Sequence, residues 1–206
     1  MRIRNQILTG FAVPVFVLLL ITGVLLQINI SKMTKKNIET LSKEIVHSRT
    51  DEIEKYINGI IVEMKTISER NVIKKMDMEA TAKDFAGKIN GRKEDYEIFF
   101  VANPKGDYIM SGMQRGNILD RGYFKEIFEK GKDYAISDPL ISRATGSPVF
   151  IVAYAVKDDG GKTIGLVAAQ VLLSKISEVA SKVKIGKTGY GWMTDSKGLV
   201  FAHPKE

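Results

Sequence analysis

The side chains that most often carry catalysis or bind transition metals are scarce in this chain. Cysteine is absent and only two histidines, His47 and His203, are present, so thiolate zinc sites and serine triads lack their ligands and bases. Gly186-Lys187-Thr188 resembles the end of a phosphate-binding loop, but Ser181 stands where the earlier glycine is needed and a helical pattern precedes it. Asp158-Asp159-Gly160 lacks the carboxylate spacing of a calcium loop. We therefore expect no catalytic site, no metal site and no cofactor.

The positive net charge of the chain is unevenly distributed. Of the formal +7, residues 1–31 carry +2, residues 32–93 carry +4 and residues 94–206 carry +1. The C-terminal part is close to neutral, and no basic stripe interleaved with aromatic residues accompanies it. The excess charge is typical of a solvated helix beside a membrane, and we expect no nucleic-acid partner.

A long apolar segment near the N-terminus predicts a transmembrane helix. No ionisable side chain lies between Arg4 and Lys32, and residues 7–26 form an apolar run of the length that spans a bilayer. The alternative, a cleavable signal peptide, has a shorter apolar region that ends at small residues. Arg2 and Arg4 favour a cytoplasmic N-terminus, although lysines also follow the run. We expect a membrane anchor in contact with lipid and an extracytoplasmic remainder.

Residues 31–78 predict one long helix, because they contain neither proline nor a glycine pair and their apolar residues recur at helical spacing. Such a stripe packs either on its own domain or on the same helix of a second subunit, so a homodimer is one expectation. Gly59 and a phase change near Ile45 are the candidate break points. The stripe consists of Val46, Ile53, Ile57, Ile60, Met64 and Ile67.

After Asp95 the hydrophobic period becomes strand-like. Residues 97–102 and 107–111 flank Asn103-Pro104-Lys105-Gly106, which suits a type I turn, and so predict a hairpin. A short helix is predicted at 121–130, where Asp120 is a plausible cap and Gly131 a stop. Further strands are predicted at 134–137, 148–156 and 163–172, and a second helix at 173–184.

The hairpin sequence recurs near the C-terminus. The segment from Phe100 to Ile109 matches the segment from Trp192 to Phe201, turn for turn. The counterpart of Asp120-Arg121 would lie beyond Glu206, so we expect the chain to stop inside a second module. The expected domains are residues 1–30 (tail and transmembrane helix), 31–184 (long helix and first module) and 185–206 (start of the truncated module).

The order and spacing of several short motifs resemble the double-Cache sensor domain of methyl-accepting chemotaxis proteins. The resemblance implies an α+β fold, with a transmembrane helix, a long stalk helix and a PAS-like antiparallel sheet module that holds a small ligand. It also implies a longer protein with a second transmembrane helix, a linker domain and a cytoplasmic helical hairpin. The motifs are Asp120-Arg121-Gly122-Tyr123-Phe124, Ser137-Asp138-Pro139, Thr145-Gly146, Gly165-Leu166-Val167 and Gly186-Lys187-Thr188-Gly189-Tyr190.

The same resemblance implies a ligand-binding site. In amino-acid-sensing members, an Arg and an aromatic residue two positions later hold the ligand carboxylate, while a Tyr and an Asp hold the ammonium. Arg121 and Tyr123 match the first pair. Leu140 and Gln170 replace the second pair, so a small polar or carboxylate ligand without a required α-amino group is implied. The candidate residues are Arg121, Tyr123, Phe124, Tyr154 and Gln170; Arg121 is alternatively a solvent-facing helix-start residue and Phe124 a core residue.

Three function classes follow from this resemblance. The first is the sensing region of a transmembrane chemoreceptor, which is not itself an enzyme. The second places the same sensor before a histidine kinase or diguanylate cyclase output, since a sensor fold does not fix the output. The third, a structural membrane protein, would bind no ligand. We favour the chemoreceptor, located in the cell membrane.

Overall fold

The computed structural model describes residues 2–89 and 96–203, and the chain divides into two units, Met1–His47 and Ser48–Glu206. The described part of the first unit is helical and belongs to helix α1 (Arg2–Ser68). Its large apolar side chains from Phe11 to Leu26 are exposed. Within the described residues, α1 is the one helix that is long and apolar enough to cross a membrane. Pro14 lies inside this helix without ending it.

In the second unit the apolar stripe of α1 packs on its own domain. Ile60, Met64 and Ile67 are buried in one core with residues of the sheet, and Ile53 and Ile57 are half-buried against that core. Burial of these side chains removes apolar surface from water and so favours docking of the helix. The sequence predicted that the stripe packs either on its own domain or on a second subunit. From Ile53 to Ile67 it packs on its own domain. Val46, in the first unit, is exposed.

Helix α1 ends earlier than the sequence predicted. The predicted helix reaches residue 78, but α1 stops at Ser68 and is followed by α2 (Asn71–Lys74) and α3 (Met78–Ile89). Arg70 adopts an extended conformation, with φ −72° and ψ 140°. Its guanidinium forms a two-point ion pair with the carboxylate of Asp84 on α3, with Nη2 and Oδ1 3.1 Å apart. A tertiary contact therefore fixes the turn where local sequence carries no helix breaker.

A seven-stranded antiparallel sheet forms the centre of the second unit. Its spatial order is β3-β2-β1-β7-β6-β4, with β5 also paired to β6. The central strands are nearly continuous apolar runs because both of their faces are covered. The strands are β1 (Tyr96–Ala102), β2 (Asp107–Met110), β3 (Arg115–Asn117), β4 (Tyr134–Ile136), β5 (Leu140–Ile141), β6 (Pro148–Lys157) and β7 (Thr163–Leu172).

The two faces of this sheet carry separate cores. The α1 face packs against α1 and α3 and includes Phe99, Val101 and Phe85. The opposite face packs against helix α4 (Gly122–Phe128) and is called the α4 face; it includes Ile98, Phe100, Ile151 and Leu166, with Phe124 and Ile127 from the helix. Alternation of side chains along each strand sends successive residues to the two cores. The predicted α+β combination of long helix and antiparallel sheet is confirmed.

The repeated hairpin has the same turn in both copies. Asn103 Oδ1 accepts hydrogen bonds from the backbone N–H groups of the residues two and four positions later, and Asp195 Oδ1 does the same. Gly106 and Gly198 close the turns with φ of 82° and 81°, a conformation open to glycine. The elements after β7 are α5 (Leu173–Ser181), β8 (Lys184–Ile185), β9 (Gly189–Tyr190), β10 (Met193–Thr194) and β11 (Val200–Ala202).

Candidate ligand-binding site

A small cavity lies on the α4 face of the sheet, beneath the start of α4 and the loop that follows β5. Its volume is about 30 Å³, close to the share of one water molecule in the liquid. Three of its residues, Arg121, Tyr123 and Leu140, also line an open cleft of about 830 Å³. The polar lining is Tyr108, Arg121, Tyr123, Ser142, Arg143 and Gln170, and the apolar lining is Phe100, Met110, Ile118, Leu140 and Ile151.

Arg121 occupies the position just before α4. Its backbone is extended, with φ −81° and ψ 137°, and its carbonyl accepts hydrogen bonds from the N–H groups of Phe124 and Lys125. The side chain is half-buried. Within residues 2–89 and 96–203, its guanidinium has neither an ion pair nor a hydrogen bond. A partly desolvated guanidinium of this kind is suited to a two-point contact with a carboxylate.

Two tyrosines place their rings against the same cavity. Tyr123 is buried on α4, and burial raises the pKa of its hydroxyl above the ordinary value, with the charge of Arg121 opposing that rise. The hydroxyl therefore stays protonated and remains a donor at neutral pH. Tyr108 reaches the cavity across Gly116, where an added Cβ would lie 2.5 Å from the Tyr108 hydroxyl oxygen. Arg121 and these two hydroxyls together offer donors to an anion.

Gln170 forms the other polar end of the cavity. It is 4% exposed, and its Nε2 donates to Oε2 of Glu97 at 2.5 Å and to Oγ of Ser142 at 2.7 Å. The sequence predicts no anionic group at this end, whereas the structure places the carboxylate of Glu97 against the amide. Strand pairing explains the difference, because the register of β1 with β7 shifts between Tyr96 and Ile98. Tyr96 joins the α1 face and Ile98 the α4 face.

An ion pair closes the edge of the cavity. Arg143, in the loop after β5, donates to Oδ2 of Asp120 at 2.7 Å and to the carbonyl of Asn117 at 3.3 Å. The hydrogen bond from Arg143 lowers the pKa of Asp120, and the same bond raises the pKa of Arg143. The pair joins this loop to the segment before α4. Arg143 itself forms part of the cavity lining.

Two of the predicted pocket residues have other positions. Phe124 is 3% exposed and stacks on Phe128 with ring centroids 4.5 Å apart, so it is a core residue of the α4 face. Tyr154 packs with the core of the α1 face and stacks on Tyr134 at 6.4 Å. Because Tyr154 lies on the opposite side of the sheet from Gln170, its assignment as a wall of this pocket is corrected.

Several site residues were missed by sequence reasoning. Tyr108 pairs with Ala102 across the predicted hairpin. The turn sequence predicts this register, and the register places Tyr108 on the same face of the sheet as Phe100. Ser142 lies in a loop without a strand pattern, and Glu97 depends on the register shift in β1. No periodicity in the sequence marks either of them.

Comparison with known proteins gives the family. The model of the Cache domain family matches residues 30–206. The methyl-accepting chemotaxis protein TlpB of Bacillus subtilis is 25% identical over 176 residues, which cover 82% of this chain and 25% of that protein. McpB of the same organism is 26% identical over 83 residues, or 40% of this chain and 12% of that protein. The chain thus spans about a quarter or less of the length of these two relatives.

Solved structures show the same fold. The ligand-binding domain of the Pseudomonas fluorescens chemoreceptor CtaA, in complex with L-isoleucine, has a TM-score of 0.63 at 18% identity, covering 78% of this chain and 66% of that one. The corresponding domain of Pseudomonas aeruginosa PctB, in complex with L-Gln, has a TM-score of 0.64 at 15% identity, covering 79% and 67%. The residues matched by the family model begin within α1 and include the central sheet and the residues that line the cavity. The chain belongs to the Cache domain family, and its sensor part has the fold of chemoreceptor ligand-binding domains.

Proposed function

We propose that this chain is the extracytoplasmic ligand-sensing region of a transmembrane chemoreceptor and that it binds a small carboxylate or similar polar ligand at Arg121. The observation that carries the proposal is the half-buried guanidinium of Arg121, which lines the cavity and forms no ion pair or hydrogen bond with the described residues. Arg121, Tyr123 and Gln170 are the proposed ligand-binding residues.

The ligands of related domains support this chemistry. The complexes of CtaA and PctB contain L-isoleucine and L-Gln, and the domain of PctC from Pseudomonas aeruginosa is in complex with GABA at a TM-score of 0.57. Each of these ligands has a carboxylate. In this chain the donors of Arg121, Tyr108 and Tyr123 line one cavity, and several charge-assisted bonds would hold a carboxylate there.

Chemotaxis as the output is supported by the curated relatives, which are methyl-accepting chemotaxis proteins. Arg143 lines the cavity and ties its loop to the segment before α4, and the same sheet packs on α1 through its other face. A ligand with different affinity for two arrangements of this loop shifts their populations. Deleting the gene should abolish swimming responses to the acids that bind the chain, while motility itself remains intact.

The proposed membrane position rests on α1. Its large apolar side chains from Phe11 to Leu26 are exposed and no charge interrupts them, which suits the hydrocarbon core of a bilayer. The sensor part lies outside the cytoplasm. Protease added to intact cells should then remove residues after about position 30, and protection of the whole chain until the cells are lysed would contradict this orientation.

A homodimer is proposed for the membrane-bound chain. Ile38 and Val46, eight residues apart on α1, are exposed, and exposed apolar residues at helical spacing favour pairing with a second helix. Disulfide cross-linking of V46C in membranes should give a dimer, while E44C, which lies on a different side of the helix, should give much less. Equal cross-linking of the two variants, or none of either, would contradict a specific dimer surface.

Ligand binding is tested by calorimetry and thermal shift on the full chain in detergent micelles, with acetate, propionate, lactate and succinate as probes. Arg121→Ala should lower the affinity for the acids that bind by more than about tenfold, because it removes charge-assisted bonds of about 1.5–3 kcal/mol. Arg115→Ala is the matched control, since Arg115 is exposed and pairs with Glu79 outside the cavity. Equal affinities of R121A and R115A would contradict the site.

A further inference from the structure

The amide of Gln170 is held by two partners that leave it little freedom. Its Nε2 donates to the carboxylate of Glu97 and to the hydroxyl oxygen of Ser142, at 2.5 and 2.7 Å. Ser142 Oγ also accepts from the backbone N–H groups of Ala144 and Thr145, each at 3.2 Å. Residues of strand β1 and of the loop after β5 therefore both accept hydrogen bonds from the same amide nitrogen.

The donor capacity of this amide is used up. A primary amide has two N–H donors and one carbonyl oxygen with two lone pairs. Glu97 and Ser142 take both N–H groups of Gln170. Within the described part of the chain, the amide oxygen has no hydrogen-bond partner, and Gln170 lines the cavity. The group that Gln170 can offer to a molecule in the cavity is an acceptor.

Glu97 prevents the opposite orientation. An amide flip would place the carbonyl oxygen of Gln170 against Oε2 of Glu97, and an ionised carboxylate has only acceptors. Gln170 is almost completely buried, so two opposed oxygens would have no water to separate them, and an unpaired buried polar group is costly. A glutamine side chain without neighbours can turn either its N–H groups or its oxygen toward a ligand. The contact with Glu97 leaves only the oxygen facing the ligand.

We propose that Glu97 fixes Gln170 as a hydrogen-bond acceptor, so that the sensor selects a small carboxylate that also bears a hydrogen-bond donor, such as a hydroxyl or an amine. This rests on the proposed function, in which Arg121 holds the carboxylate. A ligand whose corresponding position is a methyl or methylene group displaces water from the amide oxygen without replacing its hydrogen bond. The charge of Glu97 acts through the orientation of the amide, which makes Glu97 a positioning residue rather than a direct contact.

The experiment compares propionate, L-lactate and 3-hydroxypropionate by calorimetry on the full chain in detergent micelles. These probes share a three-carbon acid and differ in the presence and place of one hydroxyl. At least one hydroxy acid should bind about five- to tenfold more tightly than propionate, which is the range expected for a hydrogen bond to a buried neutral group. L-Alanine provides the same comparison with an amine.

Two variants separate the acceptor from its positioning. Gln170→Leu removes the amide and should reduce the ratio of propionate to hydroxy-acid dissociation constants to about one, with weaker binding of the hydroxy acids. Glu97→Gln keeps the shape but lets the amide turn, and should reduce the same ratio by at least about twofold while binding of propionate stays unchanged. Glu79→Gln, at an exposed acid outside the cavity, is the control and should leave the ratio unchanged.

The outcomes distinguish this inference from the proposed function. If propionate and both hydroxy acids bind equally, and R121A weakens all of them, the carboxylate site stands and the inference is overturned. The same conclusion follows if Glu97→Gln and Gln170→Leu preserve the preference; where Gln170→Leu fails to fold, Glu97→Gln decides. If none of the acids nor alanine binds the wild-type chain, both proposals are overturned.

Discussion

The two faces of the central sheet differ in what they bury. The α1 face covers aliphatic and aromatic side chains, among them Phe99, Val101 and Val167, against α1 and α3. The α4 face is equally apolar over much of its area, but it also contains the cavity with Arg121, Tyr108 and Gln170. One sheet thus provides a largely apolar core on one side and a cluster of polar groups around a cavity on the other.

This difference separates stability from recognition. Apolar burial on the α1 face lowers the free energy of the folded state, with no directional requirement beyond packing. The polar groups of the α4 face require partners, and those without an internal partner have to find one in a ligand or water. Substitutions on the α1 face should therefore change the free energy of unfolding, whereas substitutions around the cavity should change ligand affinity.

The largest effect is expected for Phe99→Ala. Phe99 is 1% exposed and contacts the rings of Phe85 and Tyr96, with centroids 5.6 and 4.8 Å away. Its truncation should lower the free energy of unfolding by about 3–5 kcal/mol in urea titrations. Calorimetry on the folded fraction should give unchanged acid affinity. A large loss of affinity at intact stability would break the separation of the two faces.

Two Gly→Ala substitutions, each of which adds one methyl group, test whether stability and ligand affinity are affected separately. Gly165→Ala should lower the free energy of unfolding by about 1–3 kcal/mol, because the new Cβ would lie 2.8 Å from the carbonyl oxygen of Ala102 and would clash with Met76. Gly116→Ala should mainly lower acid affinity, since its Cβ would displace the end of the Tyr108 ring, which can turn aside. Matching changes in stability and affinity in both variants would argue against the comparison.

Tyr123→Phe should have a smaller effect. The ring keeps its packing, but the hydroxyl near Arg121 is lost, so binding of the acids should weaken by about 0.5–1.5 kcal/mol, or two- to twelvefold. The free energy of unfolding should change by less than about 1 kcal/mol. Tyr190→Phe is the control, because Tyr190 lies on β9, is 40% exposed and contacts the ring of His203. An equal loss of affinity in both variants would count against a role of the Tyr123 hydroxyl.

The smallest effect concerns an ion pair outside both cores. Hydrogen bonds from Lys130 and then Lys132 lower the pKa of Glu126 from 4.5 to about 2. Its contribution to stability is therefore present above about pH 4.5 and is lost as the pH falls toward 2. Urea titrations of the wild type and E126Q should differ slightly at neutral pH and converge in that acidic range, with a smaller difference at high salt. A difference that grows on acidification would contradict the assignment.

Much of the fold could be predicted from local patterns. The strands at 148–157 and 163–172 and the hairpin around Asn103 have continuous apolar runs and turn residues that act locally. The early end of α1 could not be predicted, because it depends on the contact of Arg70 with Asp84. Strands β3 and β5 were missed because two or three residues paired at the edge of a sheet carry no period.

The site was predicted in part. The family resemblance named Arg121, Tyr123 and Gln170, and these three line one cavity in the structure; their role in binding stays a prediction. It could not place Tyr154, since the face on which a strand residue lies depends on register. Glu97 was missed for the same physical reason, because a shift between Tyr96 and Ile98 reverses the alternation.

That shift in β1 has an evolutionary consequence. In a regular strand Tyr96 and Ile98 would share a face, yet they belong to opposite cores, and Glu97 between them reaches Gln170. Insertion or deletion of one residue there would move the carboxylate away while every side chain that lines the cavity stayed the same. Under the proposed role of Glu97, related Cache domains would differ in ligand preference after such a change in strand length. Comparing pocket residues among homologues would miss such a change, whereas comparing the length of the first strand would find it.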